Sequence, residues 1–381
     1  MTAKSASRAG RIVLAAAAMA MLSACATLGQ WLGLPQPPTD TERREAILTY
    51  LDALGPAGQT LAGTQVNEYE ISIACDSMDR LVAMTGEEPA MLGLELMFAA
   101  TYDGYADRLI EHAVEHTRRG GLVTLAWHQR NPLHVCPRGE FYDCSKTAMS
   151  EDELVRMLTP GTPENDLWKA DVAASAETLK ALQEAGVTVL FRPYHEMSGD
   201  WFWWGKKSHF PQLWDALYDE FVFVHGIDSM IWVWSGDRAF EGADGYWPVR
   251  HPPDVVGTDV YEASDTSPNY TAALPALRSL APDLPFAFTE VGKAPAPGVM
   301  EATSPAWVLL WGGEFLNANW VQTWDCSSCN TEEAVKAFFA NDRIVALADM
   351  PADLRRIIAG RHPTAPENRP VCPSPLLDPT E

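Results

Sequence analysis

From residue 43 onward the chain alternates short apolar runs with longer stretches of helical periodicity, and the alternation is not interrupted. Such a pattern argues for a parallel sheet covered by helices. The expected strands are residues 61–65, 90–95, 122–128, 188–195, 230–235, 255–261, 286–291 and 308–312, eight in all. Helical patterns lie between them. Residues 105–119 place Leu109, Ile110, Ala113 and Val114 on one face. Residues 167–185 are longer and Ala-rich, and 210–225 carry Leu213, Leu217 and Phe221. In 331–341, Thr331 stands as an N-cap ahead of Glu332 and Glu333. Eight β/α units in one run fit an α/β fold of the (β/α)8 TIM-barrel type. An open doubly wound sheet would announce a glycine-rich phosphate loop after its first strand, and Gly63-Thr64-Gln65 is no such loop. The barrel is expected over 43–360, ending in a closing helix, with a Pro-rich tail over 361–381.

The first residues read as an export signal. Lys4, Arg8 and Arg11 precede an apolar run of 11 residues, 12–22, whereas a membrane span needs ~20. Leu22-Ser23-Ala24-Cys25 resembles a bacterial lipobox, and Ala26 in place of Asp resembles the outer-membrane sorting pattern of Gram-negative bacteria. The expectation is a signal peptide over 1–24, then a lipidated Cys25 and tether over 25–42, stiffened by PQPP at 35–38. The protein would then be an outer-membrane lipoprotein, on the periplasmic or cell-surface face, and a monomer. Export implies an oxidising compartment for the six remaining cysteines. Cys136 with Cys144 and Cys326 with Cys329 are the local pairs, leaving Cys75 with Cys372, one of about fifteen connectivities. No second CxxC and no nearby His accompanies Cys326-x-x-Cys329, so it reads as a loop staple, not half a metal site. The net charge of −23 and the lack of a Lys/Arg-rich patch exclude a nucleic-acid partner.

In barrels of this kind functional residues collect at the C-terminal ends of the strands. Those ends carry Glu95, Trp127-His128, His195-Glu196, Trp234, Asp259 and Tyr261, Glu290, and Trp311, on strands two to eight in turn. Strands disfavour Glu, so a Glu closing an apolar run needs a reason. Two carboxyl groups facing each other are what glycoside hydrolysis requires: one is held protonated for the leaving oxygen, the other ionised to attack or to activate water. Trp201, Trp203 and Trp204 follow Glu196 and would raise its pKa by desolvation, making Glu196 the acid and Glu290 its partner. On a regular strand His195 points away from Glu196, so joint use of the two needs a bulge. Trp203 and Trp204 likewise cannot both face the cleft. His112, His116 and His209 lie on helical segments and are expected at the surface.

The local sequences carry a more specific signal. Arg192-Pro193-Tyr194-His195-Glu196-Met197-Ser198-Gly199-Asp200-Trp201-Phe202-Trp203-Trp204-Gly205 resembles the acid/base segment of glycoside hydrolase family 26, the β-mannanase family. Trp127-His128-Gln129-Arg130-Asn131-Pro132 resembles its strand-three motif, Thr289-Glu290-Val291-Gly292 its nucleophile segment, Asp259-Val260-Tyr261 its strand-six end, and Gly63-Thr64-Gln65 its first strand. The likeness runs in order over residues 43–345. It implies a retaining mannan endo-1,4-β-mannosidase that needs no cofactor or metal. Glu196 would be the acid/base and Glu290 the nucleophile. His128, His195, Trp201, Asp259 and Tyr261 would contact the sugar, and Trp311 would be a stacking platform. The chain departs from the family at Gly312, where an Arg is frequent, and at residues 247–252, which replace Tyr-Pro-Gly-Asp. Both departures lie near substrate subsites, so they bear on which polysaccharide is cut and on endo or exo action.

Other readings compete. The same chemistry could serve a β-glucanase or a β-1,3-xylanase. A carbohydrate-binding lipoprotein without catalysis would not need both Glu196 and Glu290. A metalloenzyme built on His128 and His195 lacks an HxH or HExxH spacing.

Overall fold

The computed structural model of the protein describes residues 37–360 apart from 67–76, 103, 138–139, 239, 241 and 321–324. The expected signal peptide, Cys25, most of the tether, Cys75, Cys372 and the Pro-rich tail lie outside the described residues. Of the segment before Asp40, residues 37–39 carry no regular structure. Among the described residues no helix is long and apolar enough to cross a membrane.

The strands are β1 (Thr60–Gln65), β2 (Met91–Glu95), β3 (Leu122–Trp127), β4 (Val189–Pro193), β5 (Ile231–Asp237), β6 (Val255–Val260), β7 (Phe286–Val291) and β8 (Trp307–Leu310). Each pairs in parallel with the next, and β1 pairs with both β8 and β2, which closes the barrel. All eight overlap an expected strand. A ninth, β9 (Ile344–Val345), was not foreseen: two residues are too few to leave a pattern. It pairs with Thr60 and Leu61, covering the start of β1 that lies ahead of the β2 register beginning at Gly63.

Two apolar layers hold the barrel. One joins the outward faces of the strands, such as Leu92, Leu94, Phe191 and Phe288, to Leu109, Trp168, Leu179 and Leu213 on the surrounding helices. The other fills the interior near the strand starts with Leu61, Met91, Leu122, Leu190 and Trp307, against Ile47, Leu51 and Leu54 of the helix Asp40–Ala57. That helix plugs the end of the barrel opposite the strand C-termini. Higher up, the inward positions become small. A Cβ on Gly93 would lie 2.3 Å from the Gln65 side chain, and one on Gly257 would lie 2.5 Å from that of Thr289.

The helices follow the sequence with local differences. Pro163–Glu184 starts ahead of the expected 167 because the Thr162 hydroxyl accepts from the Asn165 amide and Pro163 suits the first turn. Phe210–Tyr218 does not continue as α-helix but turns into a π-helix, Asp219–Val224. The Thr331 cap forms as expected, and Ala352–Ala359 is the closing helix. His116 corrects the surface expectation. It is fully buried because it extends the inner face Leu109–Ala113 by another turn of Tyr105–Arg118, with Nε2 3.2 Å from the Ala90 carbonyl. His112 and His209 are half-buried. Trp234 does not end its strand, since β5 runs on to Asp237. It faces outward and packs on Phe240 and Trp247. The disulfides Cys136–Cys144 and Cys326–Cys329 both form, as expected.

Candidate active site

A cavity of about 550 Å³ opens at the C-terminal ends of the strands. Glu95, His128, His195, Glu196, Trp201, Asp259, Tyr261, Glu290 and Trp311 all line it, so the side chains expected at the site are brought together.

Two departures from regular backbone bring the carboxylates in. After Pro193 the chain leaves β4, with Tyr194 and Glu196 in the left-handed region at φ 50° and 55°. That region costs an L-residue about 1–2 kcal/mol. The turn lets His195 and Glu196 line the cavity together, and it supplies the irregularity that alternation required. It is secured from behind. The Glu196 amide donates to the Ser235 carbonyl at 2.9 Å, and the Trp204 indole to the His195 carbonyl at 2.7 Å. The Tyr194 hydroxyl donates to Gln129 at 2.7 Å and accepts from the Trp168 indole at 3.1 Å. On β7 the register against β6 slips by one residue at Thr289, so Asp259 pairs with Glu290. Thr289 and Glu290, neighbours that alternation would place on opposite faces, both reach inward: Thr289 donates to Asp259 at 2.6 Å, and Glu290 meets Arg192.

Arg192 is the centre of the floor. It is fully buried, donates to Asp259 at 2.9 Å, and pairs through its other terminal nitrogen with Glu290. Although burial works against its charge, Asp259 and Glu290 hold it protonated above the usual range. The Tyr261 hydroxyl donates to the second Glu290 oxygen at 2.7 Å. Burial pushes Asp259 up to about 7, with Arg192 pulling against it. Both of its oxygens are engaged, by Arg192 and Thr289, so it braces the floor beneath Glu290.

Along the opposite wall, Glu95 accepts from the amides of Met97 and His128 and lies 2.6 Å from His128 Nδ1. His128 Nε2 is 3.0 Å from His195 Nε2, which is 3.8 Å from Glu290. Burial first, then Arg192 and His128, lower the His195 pKa well below the usual imidazole range, so this ring is neutral.

Glu196 sits in a different field. Burial, then the charges of Asp259 and Glu290, push its pKa well above the carboxylate range, while the Trp201 indole, donating at 2.5 Å, pulls it back. One oxygen each of Glu196, Asp259 and Glu290 lie within 4.8 Å of one another. The site thus holds one carboxyl group that favours its proton beside another paired with a guanidinium and a phenol. That arrangement can donate a proton and supply an anionic nucleophile at adjacent points.

Neither Trp203 nor Trp204 faces the cleft. Both are fully buried, and Trp204 stacks on Phe202 with centroids 4.5 Å apart. Sequence reasoning passed over Arg192, Tyr142, Lys146 and Arg238, all at or beneath the cavity. Arg192 had a readable signal: a cation inside an apolar strand must meet anions on other strands. Gly312 packs so closely on the end of β1 that a Cβ would lie 1.8 Å from the Gln65 carbonyl oxygen. No side chain fits there on this backbone.

The profile of the Glycosyl hydrolase family 26 matches residues 36–340. A mannan endo-1,4-beta-mannosidase of Thermothelomyces thermophilus is 30% identical over 283 residues, covering 71% of this chain. The match spans only 56% of that relative's own length. A mannan endo-1,4-beta-mannosidase of Bacillus subtilis is 32% identical over 69% of this chain and 75% of its own. The structure of GH26A from Muricauda sp. MAR_2010_75 superposes with a TM-score of 0.70 at 31% identity, covering 81% of this chain and 98% of that one.

Arg192→Met should strip Asp259 and Glu290 of their buried counter-charge and cost about 3–5 kcal/mol at neutral pH. Urea unfolding would read this, and the deficit should shrink as the pH falls and Asp259 takes up its proton. A variant as stable as the wild type at neutral pH would refute the pairing.

Proposed function

Because the chain belongs to glycosyl hydrolase family 26, we propose that it is a retaining glycoside hydrolase that cleaves β-1,4-mannosidic bonds in mannan-type polysaccharides or oligosaccharides. The observation that carries the mechanism is the closeness of Glu196 and Glu290, whose nearest oxygens lie within 4.8 Å. Retaining enzymes keep their carboxyl groups ~5–5.5 Å apart, whereas inversion needs ~6.5–9.5 Å for an intervening water.

In the first step Glu290 attacks the anomeric carbon while Glu196 protonates the leaving oxygen. Arg192 and Tyr261 each bond one Glu290 oxygen and hold the carboxylate in place, and attack depends on the protonation that Glu196 provides. With the leaving group gone, Glu196 is an anion and takes a proton from water, which then releases the sugar. His128, His195, Trp201 and Trp311 line the cavity around that centre and would contact the sugar. The names of the relatives support mannan as the substrate.

The two carboxylates should fail differently. Glu290→Ala should abolish turnover on every substrate, and azide should restore activity with an inverted product. Glu196→Ala should spare the first step on substrates with good leaving groups, giving a burst, and azide should then accelerate release with retention. NMR of the first-formed wild-type product decides the matter: an inverted anomer would overturn these roles. Oligosaccharides of β-mannan, β-glucan and β-1,3-xylan, tested side by side, decide the sugar.

The pH profile gives a second check. Glu196 must be protonated to act, so kcat/KM is full below its pKa and falls as pH rises through it. The Trp201 indole stabilises the ionised form. Trp201→Phe should therefore move the alkaline limb to higher pH, and an unmoved or lowered limb would contradict the hydrogen bond's role.

The N-terminal sequence supports placing this enzyme on the outer membrane as a lipoprotein anchored at Cys25. Cys25→Ser should shift it from membrane to soluble fractions or block its processing, and more than one acyl chain should be needed for stable anchoring. Unchanged membrane retention with normal processing would rule the anchor out.

A further inference from the structure

We propose that Tyr142 and Lys146 form a sugar-binding wall beside the catalytic carboxylates, held in place by the Cys136–Cys144 disulfide. The proposal rests on the glycoside hydrolase reading and extends it to residues that the motifs do not contain. The ligand it would take is a neutral sugar unit next to the scissile bond.

Both side chains line the cavity. The Tyr142 ring stands edge-on to His128 at 5.4 Å and to Phe202 at 6.3 Å, and it is 45% exposed. Its hydroxyl makes no hydrogen bond among the described residues. Burial raises the phenol's pKa, and Glu196 and Glu290 raise it further, which places the hydroxyl in the field of the reacting groups. The phenol therefore keeps its proton and can donate it to a sugar oxygen. The Lys146 ammonium lies 3.9 Å above the same ring and 3.9 Å from Asp143. It is a directed cation with donors to spare at the mouth of a cleft whose other charges are mainly acidic.

A half-exposed tyrosine could be mere filler if its backbone were loose. This one is clamped. Tyr142 belongs to the short helix Phe141–Ser145, whose Cys144 is bonded to Cys136. The Asn131 amide donates to the Cys144 carbonyl at 3.0 Å, and the Asn131 side chain donates to Thr147. The Trp203 amide, in the loop after Glu196, donates to the Ser145 carbonyl at 2.9 Å. The wall is thus tied to the loops after β3 and β4, which also carry His128 and Glu196.

The test is the steady-state kinetics of the full chain on whichever oligosaccharide of the mannan, glucan and xylan panel the wild type cleaves. Tyr142→Phe should raise KM about three- to tenfold, as the loss of one neutral hydrogen bond implies, with kcat little changed. Tyr142→Ala and Lys146→Met should also raise KM at unchanged thermal stability. The pair Cys136→Ser with Cys144→Ser should raise KM as Tyr142→Ala does. Combining all three changes should add nothing further, because the disulfide acts through the tyrosine. Wild-type KM values in Tyr142→Ala and Lys146→Met would overturn the wall. A wild-type KM in the cysteine pair, or full additivity with Tyr142→Ala, would overturn the clamp. A wild type that cleaves glucan alone refutes the mannan reading while these comparisons still stand. If it cleaves none, the same variants are compared for oligosaccharide binding by tryptophan fluorescence, and wild-type binding in all of them, or no binding by any, overturns the wall.

Discussion

A guanidinium with 1% of its side chain exposed cannot exist alone in a protein interior, and Arg192 is such a group. Its charge calls for anions at fixed points, and Asp259 and Glu290 supply them from two other strands. The surrounding structure answers to that requirement. The Thr289 bulge turns both itself and Glu290 inward, Tyr261 takes the remaining Glu290 oxygen, and glycines at 93 and 257 keep the layer beneath thin. Buried ion pairs of this kind seldom stabilise a fold more than apolar residues of the same volume would. Their presence here makes sense as a way of fixing the position of the Glu290 carboxylate.

The same cation divides the site electrically. Glu290 shares a bond with it, whereas the half-buried Glu196 faces the carboxylates Asp259 and Glu290. Two chemically identical side chains are thereby given different surroundings, and those of Glu196 favour its proton. The neutral His195, 3.8 Å from Glu290, adds no charge that would blur the division.

What the sequence disclosed follows from the range of the interactions involved. The strands were legible because buried parallel strands are continuously apolar, and the carboxylates because Glu at the end of such a run is conspicuous. The segments around His128, Glu196 and Glu290 were legible as family motifs. Arg192 lies within one of them, yet its partners are 67 and 98 residues away, and nothing local says which anions it will meet. Alternation correctly signalled that His195 and Glu196 needed an irregularity. It could not show that two left-handed residues provide it, or that β7 carries a bulge of its own. Tyr142 had no signal, for it owes its position to a disulfide and to a hydrogen bond from Trp203. His116 misled because the apolar stripe of its helix was cut one turn short.

The left-handed turn at Tyr194 and Glu196 stores conformational energy that the barrel itself does not need. It persists because Trp168 and Gln129 grip the Tyr194 hydroxyl, and Asp171 holds Gln129 in turn through a 2.7 Å bond. Warming should weaken that grip before the parallel strands and the apolar plug at the far end give way. The acid would then drift out of alignment in a molecule that is still folded. Heat should silence this barrel before it melts it, and cooling should bring the alignment back.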